Sequence, residues 1–272
     1  TQRSPKFYNI LAEIYMHFSD YENAILAYNQ LLKTYPNDPI AIVALYTIYS
    51  NKEDIQNQEA YLFKIAVNHA INLETKKEIF YNLLNNFTQY QSFKIIIEEA
   101  INIHPKEPLF NLILGEIYAK EENYNQAIKY YFSSLYSGVI KDDYIYTKLI
   151  EIYWQEKKID EVVNTTNTAI ERFPFTPAFY YYQGLAFMNQ EKYKLCIETL
   201  LKGKDVVFDD DLLVSDFYSL IGDAYHNLNN HSYSDEAYKT ALEYNENNTF
   251  VLNNYSYYLS KREENLSLAK DM

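Results

Sequence analysis

The chain has 272 residues, 48% of them apolar and 17% aromatic, which is too much packing material for a disordered protein. A formal charge of −13 repels phosphate backbones, so nucleic acid is excluded as an expected partner and a basic or apolar one is favoured over an anionic one. The single cysteine, Cys196, excludes an internal disulfide, and no apolar run approaches the roughly 18 residues that cross a membrane.

Taken in order, the chain repeats one unit, with starts at Pro5, Pro39, Glu74, Pro108, Asp143, Pro177, Ser215 and Thr249. The intervals are 34, 35, 34, 35, 34, 38 and 34 residues. The fourth unit is the clearest. Leu114-Gly115 is followed by Tyr118, and beyond the polar break Glu121-Glu122-Asn123 come Ala127, Tyr131 and Ser134. Small and aromatic residues at helical spacing on either side of a break predict a helix, a turn and a second helix. Such a pair cannot bury its apolar faces alone and needs neighbours of the same shape.

The other units keep this phase unevenly. The first aligns Tyr8, Leu11, Ala12, Tyr15, Ala24, Tyr28 and Pro36, whereas the second keeps Leu45 and Tyr49 but needs one inserted residue before Phe63 and Ala66. The third is weak at Phe80, Tyr81 and Leu84 and recovers at Phe93, Ile97, Ala100 and Pro105. The fifth gives Tyr146, Leu149, Tyr153, Val162, Ala169 and Pro174, and the sixth Tyr180, Gly184, Phe187, Cys196, Leu200 and Gly203. The seventh gives Tyr218, Gly222, Tyr225, Tyr238 and Ala241. The eighth supplies Leu252, Tyr255, Ser256 and Leu259, and the chain then stops inside its second helix.

A 34-residue helix-turn-helix period with this pattern resembles the tetratricopeptide repeat family. The resemblance covers nearly the whole chain, carried mainly by units one, four, five, six and seven. It implies an all-α fold: residues 1–272 as one α-solenoid of seven full helical pairs and part of an eighth, wound as a right-handed superhelix. Placement of the helix breakers agrees. All seven prolines fall either at the start of a first helix or at the end of a second, the positions where proline is tolerated. Gly115, Gly184 and Gly222 share the phase at which the two helices of a pair cross most closely.

Chemistry-bearing motifs are missing from the sequence. The glycines are dispersed at structural phases rather than gathered in a phosphate loop. His17, His69, His104, His226 and His231 share no metal-ligand spacing, and His226 and His231 read as surface histidines flanking a turn. Cys196 takes the small buried phase of a second helix and reads as a core thiol rather than a nucleophile. Asp209-Asp210-Asp211, in the 38-residue interval, lacks the alternating spacing of a calcium loop and reads as a solvated turn that caps the next helix. The expectation is a non-enzyme without cofactor or metal.

By the same resemblance, first helices line a concave groove and present their second, fifth, sixth and ninth positions to it. The candidate groove residues are Leu109, Leu112 and Glu116 in unit four, and Tyr144, Lys148 and Glu151 in unit five. Units six to eight add Tyr181, Tyr182, Asp223 and Asn254. Tyr144, Tyr181 and Glu151 stand where aromatic anchors and their charged neighbours belong. The Lys/Asn/Asn/Lys/Arg set with which one subclass grips a C-terminal carboxylate is absent, since the corresponding positions hold residues such as Asn9, Glu13, Ala44, Thr75 and Ile79.

The expected function is therefore a non-catalytic scaffold that holds a peptide, helix or protein segment in its groove. The alternative is a structural or assembly subunit acting through its convex face or open ends, or the interaction module of a larger protein. Open repeat ends could also self-associate. The chain begins at Thr1 directly in a repeat and ends within one, so it is expected to be part of a longer protein. The repeats resemble those of bacterial proteins, and neither cytoplasm nor periplasm is singled out.

Overall fold

The computed structural model describes residues 4–86, 90–105, 107–136 and 143–272. These residues form sixteen helices and no strand. They gather into two compact units, residues 1–141 and 142–272. The first holds α1 (Pro5–His17), α2 (Tyr21–Thr34), α3 (Pro39–Asn51), α4 (Ile55–Val67), α5 (Leu73–Asn86), α6 (Tyr90–Ile103), α7 (Pro108–Lys120) and α8 (Tyr124–Tyr136). The second holds α9 (Asp143–Gln155), α10 (Ile159–Arg172), α11 (Pro177–Asn189), α12 (Tyr193–Lys204), α13 (Asp211–Asn227), α14 (His231–Tyr244), α15 (Thr249–Arg262) and α16 (Leu266–Asp271).

Six odd-numbered helices start at the residue the period assigns, and α5 starts one residue early. The exception is α13, which begins at Asp211 instead of Ser215. The four residues by which the 38-residue interval exceeds 34 are thus spent on an extra helical turn, not on loop. Asp210 caps that turn, its carboxylate accepting from the Leu213 N–H at 2.9 Å. Elsewhere Asp38 caps α3 and Pro39 follows at the first helical position, where proline's missing N–H has no cost.

The turns inside six helical pairs share one geometry. Ser19, Glu53, Glu122, Lys157, Glu191 and Asn229 each adopt φ between 56° and 58°. The N–H of the following residue donates back to the carbonyl of Tyr15, Tyr49, Tyr118, Tyr153, Phe187 or Tyr225 at 2.8 to 3.0 Å. This left-handed C-terminal closure satisfies carbonyls that a helix end would leave bare. The aromatic recurring near the end of each first helix therefore marks the residue whose carbonyl closes the turn.

Glycine sets how closely a pair packs. A Cβ at Gly115 would lie 2.7 Å from the Tyr131 ring, and at Gly222 2.7 Å from that of Tyr238. Both tyrosines are fully buried. Within each unit the pairs stack on one another through apolar side chains. In the first unit this packing runs through Leu31, Leu45, Leu62, Phe80, Phe93 and Phe110, with Phe80 edge-on to Phe110 at 5.5 Å. In the second it runs through Cys196, Leu200, Phe217 and Ile221, then Tyr238, Tyr255 and Leu259.

Candidate functional site

The second unit carries 22 acidic against 12 basic residues, net −10, whereas the first carries 15 against 12, net −3. Most of the excess charge thus belongs to the unit that also holds seven of the ten candidate groove residues.

On α9, Tyr144, Lys148 and Glu151 are spaced three to four residues apart and share a helix face. Lys148 Nζ lies 2.9 Å from Glu151 Oε2 and 5.4 Å from the centre of the Tyr144 ring. Tyr144 remains 39% exposed. Tyr182 on α11 joins this group: burial raises its phenol pKa, Glu151 raises it further, and Lys148 lowers it.

A second cluster gathers around Tyr181 on the same helix. Its ring meets Phe217 edge-on at 5.4 Å. Burial, then the carboxylates of Asp216 and Asp223, push its pKa up to about 12. Asp216 accepts from Asn248 Nδ2 at 3.0 Å. Asp223 accepts through Oδ1 from the Tyr238 hydroxyl at 2.5 Å and from Asn254 Nδ2 at 3.0 Å. These bonds pull its pKa down, but burial outweighs them and the net shift is upward. Among the described residues no lysine or arginine pairs with Asp216 or Asp223. Tyr258 of α15 lies close enough for Asp223 to raise its phenol pKa, after burial.

The remaining three candidates lie elsewhere. Leu109 and Leu112 are 1% and 2% exposed, and Glu116 is 9% exposed with Oε1 accepting from Tyr131 at 2.8 Å. They were expected to face an open groove and instead are buried. The physical reason is the composition of α7, PLFNLILGEIYAK, whose apolar residues run around the whole helix and leave no solvent face. His226 and His231 flank the turn between α13 and α14, as expected, and are half-buried. The His226 ring stacks on Tyr258 at 3.5 Å, and the Nδ1 atoms of both histidines are buried without a partner. Cys196 is fully buried, and its surroundings push the thiol pKa up to about 12, which keeps it protonated and unreactive.

Two contributors escaped the phase argument, Tyr238 and Tyr258. The first has a readable signal: a glycine–acid dipeptide followed by a tyrosine 15 residues after the acid, in Gly115-Glu116 with Tyr131 and Gly222-Asp223 with Tyr238. Among the described residues no group of three or more His, Cys, Asp or Glu is placed to hold a metal. None of their helices is long and apolar enough to cross a membrane.

A family model for the tetratricopeptide repeat matches residues 5–38 and 215–248, and one described as YpiA-like, tetratricopeptide repeats, matches 95–139. Among solved structures, the C-terminal part of a repeat-containing protein from Cytophaga hutchinsonii is 16% identical with a TM-score of 0.61, covering 90% of this chain and 98% of that one. YrrB, described as carrying an unusual peptide-binding site, is 14% identical with a TM-score of 0.56, over 71% of this chain and 97% of its own. MamA from Desulfovibrio magneticus RS-1 is 15% identical with a TM-score of 0.52, over 65% and 96%. These likenesses speak for the fold. No curated protein sequence matches the chain.

Proposed function

Because the chain is a tetratricopeptide repeat protein, we propose that it works without catalysis, as a scaffold holding a protein or peptide segment against the first helices of residues 142–272. The observation that carries this reading is the pairing of Tyr181 with two carboxylates, Asp216 and Asp223, that are held only by neutral amide and phenol donors. A half-buried carboxylate without a cation leaves room for one from a partner, and flanking tyrosine faces attract the same group. The partner segment is basic with apolar flanks: its cation meets Asp216 and Asp223, and its apolar residues lie along Tyr144, Tyr181 and Tyr182. Lys148 and Glu151 form the polar rim. The interval from Pro108 to Asp143 is 35 residues, in step with the rest, which supports treating all eight repeats as one array.

The experiment is a crosslinking pull-down from native cell extract, with wild type beside Tyr144→Ala/Tyr181→Ala. A partner held by wild type and lost by the double variant supports the assignment. A partner retained by both moves binding to another face.

Self-association is the second reading. It is favoured by the exposure of Leu266 and Leu268 on α16, 55% and 40%. Sedimentation velocity over a concentration series tests it, since Leu266→Glu/Leu268→Glu would then abolish a concentration-dependent dimer.

A further inference from the structure

Three phenylalanines of the second unit stand in water. Phe175, Phe208 and Phe250 are 82%, 92% and 74% exposed. They belong to three successive connections between repeats. Phe175 lies between α10 and α11, Phe208 between α12 and α13, and Phe250 in the first turn of α15, just after the connection from α14. Helix α11 packs against α13, and α13 against α15. The N-terminal ends of these first helices therefore lie side by side, roughly 10 Å apart by ordinary helix packing, and the three rings form a row along one edge.

The interior does not need these rings. At each connection a nearby apolar residue turns inward instead. Phe173 meets Tyr146 and Phe179 with ring centres 5.9 and 6.3 Å away, Val207 packs on the core around Phe217, and Val251 is fully buried. The backbone beside the outward rings is closed by hydrogen bonds. Thr176 N–H donates to Phe173 O at 3.1 Å, Val207 N–H to Lys204 O at 3.2 Å and Asn248 N–H to Asn245 O at 3.1 Å. An anchor on a backbone already fixed loses less freedom when a partner covers it. Together the rings offer about 400–600 Å² of apolar surface, the size at which an exposed patch marks an interaction site.

Charge decides what covers them. Residues 173–176, 205–210 and 245–248 include Asp205, Asp209, Asp210 and Glu246 and no lysine or arginine. Lys204 pairs with Asp205 at 2.6 Å, whereas among the described residues Asp209, Asp210 and Glu246 form no ion pair. A second copy of this unit, net −10, and an anionic bilayer would both be repelled. A basic protein surface is attracted.

We propose that this edge docks a second protein, one that presents apolar sockets ringed by lysine or arginine. The surface is separate from the binding assigned to Tyr144 and Tyr181. The chain then holds one segment against its first helices and another protein on the edge formed by its inter-repeat connections.

The test places the photocrosslinker p-benzoylphenylalanine at Phe208 or at Phe250 of the full chain, with Lys239, exposed in the middle of α14, as the control position. Each protein is irradiated in native cell extract and its crosslinked segments are sequenced by mass spectrometry. The expected result is one protein crosslinked from both positions and not from the control, through segments that are net basic. In pull-downs, Phe175→Ser/Phe208→Ser/Phe250→Ser should recover at least about tenfold less of that protein, and Tyr144→Ala/Tyr181→Ala as much as wild type. Adducts to lipid, to a second copy of the chain or to net acidic segments would overturn the proposal. So would adducts no more abundant than at the control, or undiminished recovery by the triple variant. A protein lost only from Tyr144→Ala/Tyr181→Ala would belong to the first-helix face and would overturn the edge assignment alone.

Discussion

Tyr238 donates its hydroxyl to Asp223 at 2.5 Å, from the second helix of a pair back to the first, and Tyr131 makes the equivalent bond to Glu116 at 2.8 Å. In both pairs the tyrosine also lies against the glycine that precedes the acid. One aromatic thus fills the space the glycine opens and fixes the direction of the acid beside it. In the seventh repeat that acid stays half-buried near Tyr181. In the fourth it is closed off.

Asp223 should cost the fold stability at neutral pH. Its folded pKa is raised, chiefly by burial, so the folded protein binds this proton more readily than the unfolded chain. Stability from this group is therefore present in acid and lost as pH rises through the folded pKa. Asp223→Asn keeps an acceptor for Tyr238 and removes the charge. Thermal melts should show it more stable than wild type at pH 7, with the gap closing as pH falls toward 4. A variant less stable than wild type at pH 7 would refute the sign.

Gly222→Ala places a methyl group 2.7 Å from the buried Tyr238 ring. Urea unfolding should show a loss of about 1–3 kcal/mol, the range for overpacking a core. In a Tyr238→Leu background the same glycine change should cost less, because the obstructing ring is gone.

In the six inner turns described, the left-handed residue is never glycine, although glycine adopts that conformation without strain. Lys157, at φ 58°, is exposed. Lys157→Gly should raise stability by about 0.5–1 kcal/mol in urea unfolding, relief of strain outweighing the added freedom of the unfolded chain. A destabilised Lys157→Gly would mean the lysine makes a contact that outweighs the strain.

His226 predicts an opposite pH dependence to Asp223. Burial lowers its pKa first, and His231, Arg262 and Lys261 lower it further, against Asp235. A histidine with a depressed folded pKa contributes stability above its unfolded value near 6.5, lost as pH falls. His226→Phe keeps the stack on Tyr258 and cannot protonate. Melting temperatures of wild type and variant should therefore converge at high pH and separate below about pH 6.5, with wild type the lower.

Much of the fold was legible because the helix breakers are periodic. Pro5, Pro39, Pro108 and Pro177 each open a first helix at the residue the spacing gives. The start of α13 was not legible, because Asp209-Asp210-Asp211 carries equally good capping signals at several adjacent positions and only packing selects Asp210. The grouping of Tyr144, Lys148 and Glu151 was readable because α9 has one polar face. The candidate site was misread on α7, where apolar residues on every side leave the exposed direction undefined. The stacking of His226 was hidden for a different reason. It depends on Tyr258, thirty-two residues away, which no local pattern connects to it.

The central claim is that Asp216 and Asp223, beside Tyr181, receive a cation from the partner. The most direct measurement is the affinity of the captured partner for wild type and for Asp216→Asn/Asp223→Asn, at rising sodium chloride concentration. The account predicts that wild-type affinity falls with salt, and that the double variant is weaker by at least about tenfold at low salt and nearly insensitive to it. Equal affinities with equal salt slopes would contradict it.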